Sequence, residues 1–262
     1  MPTTRYRLDR SVLRRYVIGD WVRDAVDAAR PRIRMPVAAV GRRLSRQLAW
    51  WATRARWTMF DVLHGVDTGA GGAEKAAELP PGNIAYVPTP WTVLPRVLRL
   101  ASLPVHGFSF VDIGCGKGKV LLSALQYPFT RVTGVDFSIP LCRVAERNLA
   151  AARLLRRRCV DAQVVNADAA EYVIPDGPVI FFFANPFTDE IMTRVLTNIL
   201  TSYRASPRPL YLIFYAASSR VPKIEEFLRL QGDGTARQLA SGLLGQRTVY
   251  VFELPGVMRQ LA

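Results

Sequence analysis

The stretch VDIGCGKGK, from Val111 to Lys119, marks the point where a predicted strand turns into a predicted helix. Its alternate glycines, Gly114, Gly116 and Gly118, allow a tight turn and a close approach of the backbone to a ligand. The third glycine falls one position too early for the G-x-G-x-x-G of dinucleotide sites, and the G-x-x-x-x-G-K-[ST] phosphate loop is absent. Asp112 suits a ligand with a free ammonium group better than a pyrophosphate. The stretch therefore indicates a cofactor loop, with a turn that binds nothing as the alternative.

Strands and helices alternate on both sides of this loop. The predicted strands are Phe108–Ile113, Arg131–Asp136, Ala162–Asn166, Val179–Asn185, Leu210–Tyr215, Thr235–Ala240 and Thr248–Leu254, and the predicted helices are Lys117–Gln126, Pro140–Arg156, Glu190–Tyr203 and Pro222–Leu230. Such alternation predicts an α/β fold with a doubly wound, mostly parallel seven-stranded sheet. Ligands of these sheets bind beyond the carboxyl ends of the strands. One crevice should therefore gather Asp112–Gly118, Asp136–Ser138, Ala167–Ala169 and Asn185–Phe187.

Two further carboxylates stand at the ends of predicted strands. Asp136 ends the second strand, where it could accept both hydroxyls of a ribose. Asp168 follows the third strand, where it could accept the amino group of an adenine. Each has a plainer alternative, a solvated strand end for Asp136 and a helix N-cap for Asp168. Three carboxylates at the ends of three successive strands favour a nucleoside ligand.

The order of these segments resembles that of the class I S-adenosylmethionine-dependent methyltransferases, which have a Rossmann-like fold. The likeness covers about Phe60 to Leu254. It rests on VDIGCGKG from Val111, GVDFS from Gly134, NADA from Asn166 and FFANPF from Phe182. The segments GVDT from Gly65 and YVPTP from Tyr86 are similar to those of a bacterial group of these enzymes. More distantly, the chain resembles the non-SET histone lysine methyltransferases and the enzymes that methylate a lysine of the ATP synthase c subunit.

The resemblance implies S-adenosyl-L-methionine as the cofactor. Asp112 and the loop from Gly114 to Gly118 would hold its methionine end, and Asp136 would hold the ribose. Asp168 with Ala169 would hold the adenine, while Tyr86 and Thr89 would close over the cofactor. The complete predicted cofactor-binding set is Tyr86, Thr89, Asp112, Gly114, Cys115, Gly116, Gly118, Asp136, Phe137, Asp168 and Ala169.

The predicted catalytic residues are Asn185, Pro186 and Phe187. They resemble the (D/N)-P-P-(Y/F) motif of amino-methyltransferases, in which a side-chain amide and a backbone carbonyl hold the target nitrogen, but one proline is missing. Methyl transfer from a sulfonium requires a neutral nucleophile in line with the S–CH3 bond in a water-poor cleft. Asn185 could orient an amine without protonating it, and Phe187 could exclude water. The alternative is that Asn185 caps the following helix.

The segment that contains His64 and Asp67 leaves two interpretations open. Either residue could act as a base or position the acceptor, because a neighbouring loop often covers such a cleft. A structural role is the alternative. His64 and His106 are the only two histidines, so no His-rich metal site is available, and we predict no metal.

The charge is concentrated at one end of the chain. The formal net charge is +14, and residues 1–60 contain 14 Arg and 4 Asp, a net of +10. This indicates a polyanionic partner such as nucleic acid, anionic lipid or an acidic protein surface. We predict a basic helical extension at residues 1–56, a connecting lid segment at 57–92 and a methyltransferase domain at 93–262. The apolar stripes of the extension suit either a peripheral membrane contact or packing against the catalytic domain.

The composition favours a reducing, non-membrane environment. Three Cys without a CxxC indicate reduced thiols, which favours the cytoplasm. No apolar run of about 18 residues predicts a transmembrane helix, and the polar, Arg-rich start predicts no secretory signal.

The predicted function is an S-adenosylmethionine-dependent methyltransferase that N-methylates a protein lysine, the lysine being implied by the resemblance alone. An RNA, DNA or small-molecule methyltransferase is one alternative. A binding module with a vestigial cofactor pocket is another.

Overall fold

A computed structural model describes residues 59–69, 81–84, 86–152, 155–216, 221–231, 234–244 and 247–256. The predicted basic extension at residues 1–56 lies outside these ranges, as does part of the predicted lid segment at 57–92. The division of the chain into these segments therefore stays a prediction.

Seven strands form one sheet in the order β3-β2-β1-β4-β5-β7-β6. The strands are β1 (Ser109–Ile113), β2 (Arg131–Asp136), β3 (Ala162–Asn166), β4 (Val179–Phe183), β5 (Leu210–Ala216), β6 (Arg237–Leu244) and β7 (Arg247–Leu254). The pairs among β1 to β5 are parallel, whereas β7 is antiparallel to both β5 and β6. The predicted doubly wound, mostly parallel sheet is confirmed. Its strand order reverses between β1 and β4, which is where such sheets bind ligands.

The described helices are α1 (Val93–Leu100), α2 (Lys119–Ala124), α3 (Ile139–Ala151), α4 (Asp189–Ala205) and α5 (Val221–Gln231). None of the described helices combines the length and apolar character that a membrane crossing requires. Within the same described ranges, no group of three or more His, Cys, Asp or Glu side chains is placed to hold a metal ion.

Several predicted boundaries were wrong by a few residues. Strand β4 ends at Phe183 rather than at Asn185, because Asn185 has a left-handed φ of 57° that a strand cannot contain. Helix α2 begins at Lys119 rather than at Lys117, since Gly118 has a φ of 76°. Helix α3 ends at Ala151, short of the predicted Arg156. The strand predicted at Thr235–Ala240 is observed as Arg237–Leu244, and helix α1 was not predicted at all.

The core lies on both faces of the sheet. All five residues of β4 are buried, which is expected of a central parallel strand covered by helices on both sides. Ile180 and Phe182 face one apolar cluster, and Val179, Phe181 and Phe183 face the other. A continuous apolar run rather than an alternating one therefore marks this strand.

The buried side chain of Asn148 on α3 connects the segment around Asp67 to the glycine loop by hydrogen bonds. Asn148 donates hydrogen bonds of 2.8 Å to the carbonyl oxygens of Asp67 and Lys117. Its Oδ1 accepts a 2.8 Å bond from the Asp67 backbone N–H. The Lys117 ammonium, which is buried, pairs with both carboxylate oxygens of Asp67 at 3.0 and 3.1 Å. These contacts fix the position of the loop between β1 and α2.

Replacing Asn148 by Ala should therefore destabilise the domain. The buried Lys117 carbonyl and the part-buried Asp67 carbonyl lose their donor, which costs about 1–3 kcal/mol of unfolding free energy. Urea denaturation should show this loss, while Arg147→Ala, on the exposed side of the same helix, should change the unfolding free energy by less than about 0.5 kcal/mol. Equal stabilities for the two variants would contradict this assignment.

Candidate functional site

A cleft with a volume of about 240 Å³ opens at the carboxyl ends of β1, β2 and β4. We call it the central cleft. Its lining includes the predicted residues Tyr86, Thr89, Asp112, Gly114, Cys115, Gly116, Asp136, Phe137, Asp168, Ala169, Asn185, Pro186 and Phe187. Gly118 is the one predicted site residue that is not part of the lining. The structure thus brings together segments that are far apart in the sequence.

Gly116 and Gly118 have different reasons to be glycine. Both have left-handed φ angles, of 53° and 76°. A Cβ at Gly116 would collide with the ring of Tyr86, so this glycine allows Tyr86 to pack on the loop. A Cβ at Gly118 would lie 3.1 Å from the Cβ of Ala145 on α3. Gly118 therefore serves the packing of the loop against a helix rather than the surface of the central cleft.

Asp136 connects the loops that follow β1 and β2. Its Oδ2 accepts a 2.8 Å hydrogen bond from the Gly116 N–H, and its Oδ1 accepts a 3.0 Å bond from the Ser138 N–H. The side chain is buried, yet it lines the central cleft. Asp136 thus places a carboxylate oxygen pair, held by two amides, at the end of β2.

Asp112 is an uncompensated buried acid. It is 2% exposed, and its Oδ1 accepts no hydrogen bond although it is shielded from solvent. Burial raises the pKa of the Asp112 carboxyl well above its ordinary value, and the neighbouring Asp136 carboxylate raises it further. A cation with N–H donors would satisfy this oxygen and offset the repulsion. The ammonium group of a methionine moiety fits this requirement.

Asp168 makes a capping contact and also borders the central cleft. Its Oδ1 accepts a 2.9 Å hydrogen bond from the Ala170 N–H, so it caps the turn after β3. Its Oδ2 lies 3.5 Å from Nη2 of Arg194. The carboxylate is half exposed and also lines the central cleft beside the buried Ala169. Capping and ligand contact are therefore compatible at this position.

Asn185 is strained and has an unsatisfied oxygen. Its φ of 57° is rare for a residue with a side chain, and such strain is frequent at functional sites. Its Oδ1 is shielded from solvent and accepts no hydrogen bond. The alternative capping role is not observed, because Thr188 occupies the N-cap of α4. Asn185 therefore faces the central cleft with an acceptor atom that lacks a donor.

The Asn185-Pro186-Phe187 segment pairs with the described part of the predicted lid. Ile84 N–H donates to the Pro186 carbonyl at 3.2 Å, and Thr188 N–H donates to the Gly82 carbonyl at 2.8 Å. Asn83 and Phe187 form an antiparallel bridge, and Phe187 is buried. The two segments thus form one wall of the central cleft.

Tyr86 and Thr89 continue this wall. The Tyr86 hydroxyl donates a 3.0 Å hydrogen bond to the Thr68 carbonyl, and its ring packs on Gly116. Burial raises the pKa of Tyr86 well above its ordinary value, and the nearby carboxylates add to this effect. Tyr86 is therefore a neutral hydrogen-bond donor here rather than a base. Thr89 is buried at the edge of the same cleft.

His64 and Asp67 do not line the central cleft. Asp67 is committed to Lys117, and the His64 ring packs 4.1 Å from the ring of Phe60. These contacts are structural ones, and the catalytic role of either residue stays a prediction. Asp61 stabilises the segment, because its carboxylate accepts hydrogen bonds from the Thr68 N–H at 2.9 Å and from the Thr68 hydroxyl at 2.7 Å.

Three polar residues of the cleft were not predicted from the sequence: Asn83, Lys119 and Arg247. Lys119 is 3% exposed, and its Nζ lies 5.2 Å from the centroid of the Trp91 ring. Burial lowers the pKa of Lys119 to about 8, an effect that the Asp61 carboxylate partly opposes. Its position directly after the glycine loop is the one sequence signal that points to it.

Replacing Asp112 by Asn should stabilise the protein in the absence of ligand, in a pH-dependent manner. The folded-state pKa of Asp112 lies above its unfolded value, so the wild type loses stability as the pH rises through that interval, whereas Asn stays neutral. The variant should gain about 1–3 kcal/mol at about pH 8 and little at about pH 4. Urea denaturation at both pH values tests this, with the exposed Glu225→Gln as control. A difference that does not depend on pH would contradict the assignment.

The comparisons with known proteins concern the same strands. Residues 110–205 match a family model described as a methyltransferase domain. The matched range begins in β1 and ends with α4, so it includes most of the central cleft. None of the curated proteins matches the chain in sequence.

Three solved structures illustrate the similarity. A proposed RNA methyltransferase from Pyrococcus horikoshii is 18% identical with a TM-score of 0.50, and the alignment covers 78% of this chain and 98% of that one. A ribosomal protein L11 methylase from Lactobacillus delbrueckii subsp. bulgaricus is 18% identical with a TM-score of 0.47, covering 67% and 83%. A magnesium protoporphyrin IX methyltransferase from Synechocystis PCC 6803, with bound S-adenosylmethionine, is 17% identical with a TM-score of 0.47, covering 62% and 77%.

At these identities the similarity to the Pyrococcus protein establishes the fold alone. The family match adds the class of enzyme, because it falls on the strands and loops that form the central cleft. Residues 110–205 therefore form a methyltransferase domain, and the chain is an S-adenosylmethionine-dependent methyltransferase.

Proposed function

We propose that the central cleft binds S-adenosylmethionine in the orientation that the three carboxylates dictate. Asp112 receives the ammonium of the methionine end, Asp136 receives the ribose hydroxyls, and Asp168 with Ala169 receives the adenine. The buried, donor-free Oδ1 of Asp112 supports the first contact. Asp136 ends β2, Asp168 lies two residues beyond the end of β3, and both line the cleft, which supports the other two contacts.

We propose further that the acceptor atom is a nitrogen. The observation that carries this proposal is the buried Oδ1 of Asn185, which has no donor and borders the central cleft. A neutral amine would donate its N–H to this oxygen and keep its lone pair for the methyl group. The bound cofactor supplies an electrophilic methyl on a sulfonium. Asn185 orients the amine, and the buried Phe187 excludes water from the reacting atoms.

A protein lysine is the acceptor that we favour. A second cavity, of about 40 Å³, also borders Asn185. Most of its other lining residues are apolar, with Phe183, Met192, Phe214 and Phe227 among them, and the polar ones are Asp189, Thr193 and Lys223. Its small size and apolar lining suit an unbranched aliphatic chain better than a planar base. The resemblance to lysine methyltransferases points the same way. The basic sequence at residues 1–60 supports a nucleic-acid acceptor as the second candidate.

Replacing Asp136 by Ala should weaken binding of S-adenosylhomocysteine. The ribose would lose charge-assisted hydrogen bonds, at a cost of about 1–3 kcal/mol in binding free energy. Titration calorimetry measures this loss of affinity. Asp161→Ala provides the control, because Asp161 is exposed, forms a 2.8 Å ion pair with Arg131 and is not part of the cleft lining. Melting temperatures of both variants show whether loss of the Gly116 and Ser138 bonds has unfolded the loop. A folded Asp136→Ala variant with unchanged affinity would remove the ribose assignment.

Replacing Asn185 by Gly should abolish methyl transfer and leave cofactor affinity nearly unchanged. Gly removes the amide and tolerates the left-handed backbone, so the variant tests the side chain rather than the fold. Full-length enzyme, labelled S-adenosylmethionine and cell lysate should give label that protease removes and nuclease does not. Wild type and variant should differ by about 100-fold or more in rate if the amide acts mainly in the transition state.

If nuclease removed the label, the acceptor would be a nucleic acid rather than a protein lysine. Equal labelling by both enzymes would move the catalytic role away from Asn185. Acid hydrolysis of the labelled protein and amino-acid analysis then identify methyl-lysine directly.

A further inference from the structure

The helical segment at residues 59–64 has an exposed apolar face. Met59, Val62 and Leu63 are 58%, 55% and 60% exposed. Their spacing of three and four residues places them on the same side of the helix. A single exposed apolar side chain is common on a protein surface, whereas several that share one face mark an interaction site. We call these three residues the apolar face.

The other side of the same segment is fixed to the methyltransferase domain. The Asp61 carboxylate accepts hydrogen bonds from the Thr68 N–H and hydroxyl, at 2.9 and 2.7 Å. The ring of Phe60 packs on the ring of Trp91, with 3.6 Å between the centroids. The apolar face is therefore presented from a fixed position, because the residues between its members are anchored.

The sequence directly ahead of the apolar face is basic and aromatic. Arg54, Arg56 and Trp57 precede Met59, and residues 1–60 carry a net charge of +10. Chain connectivity alone keeps the Cα of Arg54 within about 18 Å of that of Met59. Arginine and tryptophan next to exposed apolar side chains are the composition of segments that bind at the membrane–water interface.

The charge and the apolar face together favour one kind of partner. A nucleic acid would match the positive charge, but its phosphates would leave the apolar face in water. An apolar protein surface would cover the face and leave the charge without a counterpart. An anionic lipid bilayer satisfies both, because its headgroups attract arginine and its acyl boundary accepts apolar side chains.

We propose that the apolar face and the basic sequence ahead of it bind the surface of an anionic lipid bilayer. The apolar face contributes burial in the acyl boundary, and the arginines contribute attraction to the headgroups. Neither contribution depends on which acceptor the enzyme methylates.

Vesicle sedimentation with the full-length protein tests the role of charge. The vesicles consist of phosphatidylcholine alone, or of phosphatidylcholine and phosphatidylglycerol in equal parts. The protein should sediment with the mixed vesicles at low salt. Binding should be weaker by about tenfold or more with the neutral vesicles, or with the mixed vesicles in about 0.5 M salt, because salt screens the headgroup attraction.

A combined variant tests the apolar face. Met59→Ser, Val62→Ser and Leu63→Ser together should weaken binding to the mixed vesicles by about tenfold or more, because apolar area that enters the acyl boundary is lost. The control combines Val160→Ser and Val173→Ser, which remove two exposed apolar side chains elsewhere on the domain and should leave binding unchanged. Affinity for S-adenosylhomocysteine and melting temperature should be the same in all three proteins.

The remaining outcomes contradict the proposal. Vesicle binding by the combined variant equal to that of the wild type would show that the apolar face takes no part. Equal binding to neutral and anionic vesicles would remove the role of the charge. A wild type that binds single-stranded RNA and neither kind of vesicle would assign the charge to a nucleic acid. If the combined variant did not fold, the three single substitutions would provide the same comparison.

Discussion

The burial of two carboxylates at the ends of adjacent strands is the constraint on which the site depends. The register of β1 and β2 pairs Asp112 with Gly134, so Asp136 follows two residues later beside the loop that leaves β1. Asp136 is stabilised by two backbone amides, whereas Asp112 faces it with an oxygen that accepts no hydrogen bond. A protein interior tolerates such an acid only where a proton or a ligand cation completes it. The uncompensated Asp112 carboxyl thus lowers the stability of the fold, and the proposed ligand cation would relieve this imbalance.

Much of the sheet could be predicted because its strands are short, apolar and bounded by clear breaks. Strands β2 and β3 begin and end where the sequence predicted them. Helix α1 was not predicted because it has only eight residues. It is nevertheless amphipathic in the structure, since Val93, Leu94, Val97 and Leu98 are buried on one face. The bounds of β6 also differ from the prediction. The ends of β6 depend on its pairing with β7, which includes a register shift near Gln238. A pairing between two strands cannot be predicted from the local sequence of one of them.

The candidate site shows the same division between local and long-range information. The acidic strand ends and the glycine loop were recognisable, because their order along the chain follows the order of the strands. Asn148 was not recognisable, since its bond to Asp67 joins residues 81 positions apart. Arg247 reaches the cleft because β7 inserts antiparallel beside β5, which no local pattern reveals. Lys119 was visible as a residue, but its burial was not.

The backbone pairing between residues 82–84 and residues 186–188 has a thermodynamic consequence. Tyr86, which packs on the glycine loop, is two residues from Ile84, and Ile84 is hydrogen-bonded to the neighbour of Asn185. If entry of the proposed cofactor shifts Tyr86, this contact would transmit the shift to Asn185, the residue proposed to hold the acceptor. Linkage would then require that the acceptor alter the affinity for the cofactor by the same factor. The proposed methyl donor and methyl acceptor would in that case be each other's effectors.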